Sequence, residues 1–325
     1  MAGLWVLGEV AADGTLARIS TEVATLARTL ADAAGQPVTG IVVAADPAAA
    51  AAELATYLPQ VLTIAEPAAA DRPWSMVAAE RIAGLLESDT QAFVLVGAGP
   101  DGRDLAGAIG AMLDWGILAN ATGATWGERG PMVEMSVFGG KLTTTSRFTG
   151  VRGIVTVRPN VVPAEPATKP GTVEATSVKD ELRLPLVKVA DRVAAADVAA
   201  PIEEARVIVS GGRGIGGPAG FGLVEELAEA LGGAVGATRA AVDAGWIPYA
   251  QQIGQTGKIV KPALYLALGI SGAIQHKVGM QTADTIVAVN RDPDAPIAEF
   301  ADLFVVGDLF EVGPAILSAL RARAG

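Results

Sequence analysis

Short apolar runs alternate with segments of helical periodicity through the first part of the chain. Residues 4–7 and 40–43 are continuous apolar runs, which are typical of strands buried on both faces. Between them, residues 19–30 place apolar side chains at the spacing of an α-helix. Such alternation indicates an α/β domain with a mainly parallel, doubly wound sheet. It also predicts helices over residues 47–58, 74–86 and 101–113 and strands over residues 60–64 and 92–96.

The pattern changes between residues 132 and 157. The segments MSVFGGKLTTTSRF and GIVTV are rich in threonine, valine and phenylalanine, which predicts strands that join in antiparallel orientation. Residues 160–177 contain three prolines and little periodicity, so we interpret them as a loop or an extended arm. Residues 193–204 are alanine-rich, charged and interrupted by Pro201. We place the linker there, between a domain of residues 1–200 and a domain of residues 201–325.

A second α/β unit is predicted from Arg206 onward. A strand over residues 207–210 is followed by a glycine-rich turn over residues 211–217 and a helix over residues 221–231. Further strand and helix signals continue to the end of the chain. The predicted fold class is therefore two α/β domains with mainly parallel doubly wound sheets, the C-terminal one a dinucleotide-binding domain.

Composition and charge narrow the classes of function. The formal net charge of −11 gives a field that repels phosphate backbones, so nucleic-acid binding is disfavoured. The absence of cysteine excludes disulfides, thiolate nucleophiles and cysteine-ligated iron–sulfur clusters, and the single histidine disfavours a zinc site. Redox chemistry would thus need an organic cofactor. Without a basic leader or an apolar run of about 20 residues, we expect a soluble, cytoplasmic protein.

The glycine turn matches the pattern G-x-G-x-x-G through Gly212, Gly214 and Gly217. Such a turn between a strand and a helix lets backbone N–H groups approach a pyrophosphate, although a tight structural turn has the same pattern. An NAD site also needs an acidic residue about 20 positions further on, which forms a hydrogen bond with a ribose hydroxyl. This chain has Thr238 and Arg239 after the next strand instead. An NAD-dependent oxidoreductase therefore remains an alternative, although the chain lacks the acidic residue that would bind the ribose.

The segment GQTGKIVKPALYLALGISGAIQHKVGM, residues 254–280, carries the strongest chemical signal. It joins a glycine–threonine loop, a buried strand over residues 263–270, a Ser-Gly turn and His276, the one histidine of the chain. Polar groups thus stand on both sides of one apolar strand. This arrangement suits a ligand with a polar rim.

Several separated segments, read together, carry a family likeness. The C-terminal part resembles the FAD-binding domain of the alpha subunit of electron-transfer flavoprotein, of the bacterial type. The likeness is close over roughly the last 120 residues and broad over the first 200. The segments are SGGRGIGG, GATRAAVDAGW, IGQTGKIVKP, GISGAIQHKVGM, VNRDPDAPI and GDLFEV, in this order.

The resemblance implies roles for individual residues in binding FAD. Positive charge from His276 and Arg239 would stabilise an anionic flavin near its N1–C2=O edge, with His276 donating a hydrogen bond there. The hydroxyl of Thr256 or Thr238 would bond to N5, and the Ser271-Gly272 turn would receive a phosphate. Threonine at 238 keeps the hydroxyl of the serine usual in the family, and Ile253 replaces the usual valine. The implied FAD contacts are Arg213, Thr238, Arg239, Ile253, Gly254, Gln255, Thr256, Ser271, Gly272, Ala273, Ile274, Gln275, His276, Asn290, Asp308 and Leu309.

The resemblance also implies partners. The N-terminal domain would serve as a scaffold and dock a beta subunit, which in this family holds AMP, to form a heterodimer. The complex would carry electrons from acyl-CoA and other flavin dehydrogenases of fatty acid β-oxidation to a membrane quinone oxidoreductase, through an anionic flavin semiquinone. It would be an electron carrier without its own substrate. The second alternative is an electron-bifurcating relative, which has a further FAD in the beta subunit.

Overall fold

The computed structural model describes residues 3–11, 13–138, 142–178, 187–191 and 202–324. The chain divides into two compact units, residues 1–194 and residues 195–325. Both units are α/β, as the alternation of apolar runs and helical segments predicts. Most of the predicted linker, including the boundary between residues 200 and 201, lies outside the described residues, so that boundary stays a prediction.

The described residues of the first unit form a nine-stranded sheet with four α-helices. The strands are β1 (Gly3–Gly8), β2 (Val38–Ala44), β3 (Gln60–Ala65), β4 (Ala92–Gly97), β5 (Ile117–Gly127), β6 (Gly130–Val137), β7 (Leu142–Arg147), β8 (Arg152–Val157) and β9 (Thr172–Ala175). The helices are α1 (Arg18–Ala34), α2 (Ala48–Leu54), α3 (Trp74–Leu86) and α4 (Pro100–Leu113). The strand order is β7-β6-β5-β8-β4-β1-β2-β3-β9, and only the pairs β5–β6 and β6–β7 are antiparallel among these described strands.

Two helices of this unit show why the local sequence folds as it does. Helix α1 ends at Ala34, and the left-handed φ of 60° at the next residue, Gly35, lets its N–H group reach the last carbonyls of the helix. Helix α2 begins at Ala48, and the carboxylate of Asp46 accepts a hydrogen bond from the Ala48 N–H group at 3.1 Å. The helix ends at Leu54, before the predicted end at residue 58.

The prediction that the segment GIVTV joins in antiparallel orientation is wrong. Strand β8 lies between β4 and β5 and is parallel to both. All of its residues except Arg152 are buried, as is typical of a parallel strand with both faces covered. The antiparallel prediction is confirmed for β6, which pairs with β5 and β7. Residues 160–177, predicted as a loop or arm, contain the edge strand β9.

Within residues 202–324, six strands form a second sheet, and four α-helices accompany it. The strands are β10 (Val207–Gly211), β11 (Ala234–Thr238), β12 (Gln252–Ile253), β13 (Leu264–Leu268), β14 (Thr285–Asn290) and β15 (Leu303–Val306). The helices are α5 (Phe221–Ala230), α6 (Arg239–Asp243), α7 (Ile274–Met280) and α8 (Leu309–Ala324). No helix in the described part of either unit is both long and apolar enough to span a bilayer.

The order of the second sheet is β12-β11-β10-β13-β14-β15, and its neighbouring strands are parallel. Numbered from the first strand of the unit, this is the order 3-2-1-4-5-6 of doubly wound dinucleotide-binding sheets. The order reverses between β10 and β13, and ligands bind such sheets in the crevice at the carboxyl ends of these strands. The fold therefore places a candidate site after Gly211 and Leu268.

Candidate functional site

A cavity of about 610 Å³ lies at the carboxyl ends of β10, β11, β13 and β14. Its volume is within the range of cofactor sites, and its position is the switch point of the sheet. The segments that follow these strands converge here because parallel strands end at the same edge. The lining residues are Gly212, Arg213, Gly214, Thr238, Arg239, Ala240, Asp243, Gln252, Ile253, Gly254, Gln255, Thr256, Gly269, Ile270, Ser271, Gly272, Ala273, Gln275, His276, Asn290, Arg291, Asp292 and Ala295.

Most of the residues named from the sequence line this cavity, and three do not. The side chain of Ile274 is 72% exposed, and Leu309, the first residue of α8, is buried in the core. Asp308 accepts a hydrogen bond from the N–H group of Phe310 at 2.8 Å and so caps α8. Asp243 and Asp292, which are not among the residues named as FAD contacts, also line the cavity. Their position shortly after β11 and β14 is the signal that could have identified them.

The turn between β10 and α5 is packed against the turn that follows β13. The N–H group of Gly212 donates to the carbonyl of Leu268, and that of Gly214 donates to the carbonyl of Gly269, each at 3.0 Å. A Cβ atom on Gly212 would lie 2.4 Å from the Gly269 oxygen, so glycine is needed for this close approach. These two N–H groups serve the fold, and this disfavours the pyrophosphate role expected of the turn in an NAD site.

The turn that precedes α7 offers backbone donors. Within the described residues, the N–H groups of Ser271, Gly272 and Ala273 donate no hydrogen bond to the protein. The turn itself is held in place, because the carbonyl of Ser271 accepts from Ile297 at 2.9 Å and Asn290 donates to the carbonyl of Ile270 at 3.0 Å. A rigid set of unsatisfied N–H groups can bind an anion such as a phosphate.

The loop after β12 is fixed from two sides. The Gln255 N–H group donates to the carbonyl of Gln275 at 2.7 Å, which ties the loop to α7. The hydroxyl of Thr256 accepts from the side-chain amide of Gln252 at 3.1 Å, and its carbonyl accepts from the hydroxyl of Tyr249 at 2.6 Å. Because the Thr256 hydroxyl is an acceptor in this contact, its proton can still be donated to a ligand.

His276 is buried, with both ring nitrogens in hydrogen bonds to the protein. Nδ1 lies 3.0 Å from the carbonyl oxygen of Ile253, and Nε2 lies 2.9 Å from the hydroxyl oxygen of Tyr265. Burial lowers the pKa of His276 to about 4, and the hydrogen bond to Ile253 offsets only part of this effect. This low pKa disfavours the predicted positive charge on His276 near pH 7, and the role of His276 in binding FAD stays a prediction.

Arginines supply the positive charge of the cavity. The guanidinium group of Arg239 is 64% exposed and forms an ion pair with Asp243 at 3.1 Å. Arg213 and Arg291 line the cavity as well. An arginine keeps its charge at any physiological pH, so the cavity suits an anionic ligand over a wide pH range.

Thr238 points to a ligand more directly than any charged group. Its hydroxyl oxygen is buried and has no hydrogen-bond partner among the described residues, although Thr238 lines the cavity. A buried hydroxyl without a partner is unfavourable by about 1–3 kcal/mol, and native proteins rarely leave one unsatisfied. A polar ligand in the cavity would complete this contact.

The fold and the cavity define a dinucleotide-binding domain of the doubly wound class. Family models described as "Electron transfer flavoprotein FAD-binding domain" and "Electron transfer flavoprotein domain" match residues 201–281 and residues 4–181. The chain belongs to the family of electron transfer flavoprotein alpha subunits. Asn290, Asp308 and Leu309 lie beyond the residues that the FAD-binding model matches.

Curated relatives support the same assignment. The chain is 41% identical to the electron transfer flavoprotein subunit alpha of Mycobacterium leprae (strain TN), over 96% of each chain. It is 42% identical to that of Mycobacterium tuberculosis (strain ATCC 25618 / H37Rv), over 100% of each chain. It is also 36% identical to Protein FixB of Clostridium saccharobutylicum, over 98% of this chain and 96% of that protein.

Proposed function

We propose that this chain binds FAD in the switch-point cavity and forms, with a beta subunit, a heterodimeric electron carrier. The observation that carries the proposal is the convergence on one cavity of Thr238, Arg239, Thr256 and the turn before α7. The donors there match three features of FAD: its pyrophosphate, the polar edge of its ring and the negative charge that the ring gains on reduction.

The residues present fit this cofactor. The N–H groups of Ser271, Gly272 and Ala273 would hold the pyrophosphate, and Arg239 would lie where negative charge develops. The unsatisfied hydroxyl of Thr238 and the free proton of the Thr256 hydroxyl would serve the polar edge of the ring. Bound FAD supplies the ability to accept and release single electrons. The chain's own residues would hold the ring and stabilise its charge.

A carrier without its own substrate is the role we favour over an enzyme. Histidine is the residue that most often transfers protons near pH 7, but burial lowers the pKa of His276 to about 4, and both of its ring nitrogens already form hydrogen bonds within the protein. The packing of Gly212 and Gly214 against the β13 turn argues against an NAD-dependent oxidoreductase.

We further propose the partners that the family likeness implies. The beta subunit would hold AMP, and the complex would take electrons from acyl-CoA and other flavin dehydrogenases of fatty acid β-oxidation and pass them to a membrane quinone oxidoreductase. A cytoplasmic location stays a prediction. An electron-bifurcating complex is the remaining alternative, and it differs in holding a second FAD in place of the AMP.

The deciding experiment is co-expression of the full chain with its cognate beta subunit. The purified heterodimer should be yellow and, after extraction, yield one FAD and one AMP. Two FAD molecules and no AMP would favour the bifurcating alternative. A folded heterodimer that stays colourless after incubation with FAD would overturn the proposal.

A further inference from the structure

Tyr249 is an exposed aromatic residue to which the proposed function gives no role. It lies in a single 3-10 turn, Tyr249–Gln251, that leads directly into β12. The residue is 61% exposed, so apolar packing does not account for its position. Its hydroxyl donates a hydrogen bond of 2.6 Å to the backbone carbonyl of Thr256. A polar contact therefore sets where this side chain lies, and that contact reaches the loop in the wall of the cavity.

The loop that carries Thr256 is anchored on either side of this residue by backbone contacts. Before it, the N–H group of Gln255 donates to the carbonyl of Gln275 on α7 at 2.7 Å. After it, the N–H group of Lys258 donates to the carbonyl of Gln252 at 2.7 Å. These contacts hold the two flanks of the loop, so the orientation of its tip, Thr256, depends on other groups.

Two side chains from the segment before the loop hold its tip. The hydroxyl of Tyr249 holds the carbonyl of Thr256, and the side-chain amide of Gln252 donates to the hydroxyl oxygen of Thr256 at 3.1 Å. One contact thus fixes the main chain of Thr256 and the other fixes its side chain. Because Gln252 occupies an acceptor position of the Thr256 hydroxyl, the proton of that hydroxyl is directed elsewhere. Thr256 lines the cavity, so the two contacts together present a hydroxyl donor to a ligand there.

We propose that Tyr249 is a positioning residue for the FAD site: its hydroxyl holds the Thr256 carbonyl and thereby keeps the Thr256 hydroxyl turned toward the cofactor. Tyr249 is not among the described residues that line the cavity, so its effect passes through Thr256. The part of this inference that concerns the cofactor rests on the proposed function. The part that concerns the loop rests on the contacts of this chain alone.

Tyr249→Phe removes one oxygen atom and keeps the exposed ring. In the full chain, in complex with its beta subunit, calorimetric titration with FAD should show a dissociation constant about fivefold higher than that of the parent, as for the loss of one average hydrogen bond. The control Tyr57→Phe removes a hydroxyl from the first unit and should leave this constant unchanged. An unchanged dissociation constant in Tyr249→Phe would overturn the positioning role.

A double-mutant cycle with Thr256→Val tests whether Tyr249 acts through the Thr256 hydroxyl. Thr256→Val removes this hydroxyl and keeps the carbonyl to which Tyr249 donates. In the Thr256→Val background, Tyr249→Phe should therefore change the FAD dissociation constant by less than about twofold. The same fivefold change in both backgrounds would mean that Tyr249 affects the site independently of this hydroxyl, and it would refute the inference.

Hydrogen exchange of the flavin-free complex tests the loop without the cofactor. The amides of Gln255, Gly257 and Lys258 donate backbone hydrogen bonds in the loop, so their exchange rates report its opening. Tyr249→Phe should raise these rates about fivefold and leave the β13 amides unchanged. Unchanged loop rates, or an equal increase in β13, would contradict the positioning role. If the parent binds no FAD, the proposed function fails, while the exchange rates still test the contact.

Discussion

The guanidinium group of Arg239 lies 3.1 Å from the carboxylate of Asp243, one helical turn further along α6, and both side chains line the cavity. The pair is more than 60% exposed on each side, so it adds little to stability. Its effect is on charge: Asp243 offsets part of the positive field of Arg239. The two residues should therefore shift the reduction potential of a bound flavin in opposite directions.

Removing the charge of Arg239 should make the bound flavin harder to reduce. In Arg239→Ala, we expect the first reduction potential to fall by about 30–60 mV, where 59 mV corresponds to a tenfold change in the equilibrium. Asp243→Asn should raise the potential by a smaller amount. Both shifts should shrink at high salt, because the groups are exposed. Spectroelectrochemical titration of the heterodimer measures these potentials.

Arg321→Ala is the control for the change in net charge. Arg321 is 69% exposed on α8, where it pairs with Glu226, and it does not line the cavity. This variant should leave the potential within a few millivolts of the parent, since screening removes distant surface charges. If Arg321→Ala and Arg239→Ala shift the potential equally, the effect is one of net charge and Arg239 has no local role.

Thr238 should affect the free and the FAD-bound protein differently. Thr238→Val keeps the shape of the side chain and removes the buried hydroxyl that lacks a protein partner. The flavin-free protein should be as stable as the parent or slightly more stable, since no hydrogen bond is lost. FAD should bind about tenfold more weakly, a cost of about 1.4 kcal/mol. Thermal unfolding and calorimetric titration with FAD measure the two effects.

Thr238→Ser is the matched variant, because it restores the hydroxyl and removes only a methyl group. It should recover most of the FAD affinity. If Thr238→Val binds FAD as the parent does, the hydroxyl makes no contact with the cofactor. If Thr238→Ser binds as poorly as Thr238→Val, packing by the methyl group is the property that matters.

The overall class of the fold is readable from the sequence because apolar periodicity is a local signal. Strand orientation is not local, and the wrong orientation for β8 shows the difference: its neighbours β4 and β5 are fixed by the rest of the sheet. Strand β5 has no clear alternation of apolar and polar residues, because it is irregular. Its pairing with β8 shifts register between Leu118 and Ala121, and Asn120 has a φ of 60°. Strand β9 is exposed at all four residues, so it has no apolar pattern.

The site residues that come directly after strands can be predicted from the sequence. Such residues meet at one edge of a parallel sheet, and this brings Thr238, Ser271 and Asn290 together. The low pKa of His276 could not be predicted, because it results from the burial of the ring in the folded chain, which the contact with Ile253, 23 positions away, only partly offsets. Without this burial, a histidine near a cofactor is expected to be a cation or a donor.

The low pKa of His276 makes the stability of the second unit sensitive to acid. The unfolded chain binds a proton near the ordinary value of 6.5, whereas the folded chain does so only near 4. Between these values the unfolded state holds more protons, so the free energy of unfolding decreases as the pH is lowered. From pH 7 to pH 5 we expect a loss on the order of 2 kcal/mol relative to His276→Gln, which binds no proton.

Hydrogen exchange of the β13 amides at increasing urea measures this free energy for the second unit alone. Carboxylates also titrate near pH 5, but they contribute equally to the parent and to His276→Gln, so the difference isolates the histidine. Parallel pH profiles for the two proteins would mean that the folded ring titrates near its ordinary pKa, and that His276 is more hydrated than its contacts indicate.

Gly279 on α7 lies directly against Gly254, and this contact sets how closely the helix approaches the loop after β12. A Cβ atom on Gly279 would lie 2.4 Å from the backbone nitrogen of Gly254. Gly279→Ala should therefore destabilise the second unit by about 1–3 kcal/mol and weaken FAD binding. Gly222→Ala on α5 is the control, since no atom lies within 4 Å of its Cβ, and it should stabilise by up to about 1 kcal/mol. If both variants unfold at the same urea concentration, the close packing of the helix on the loop is refuted.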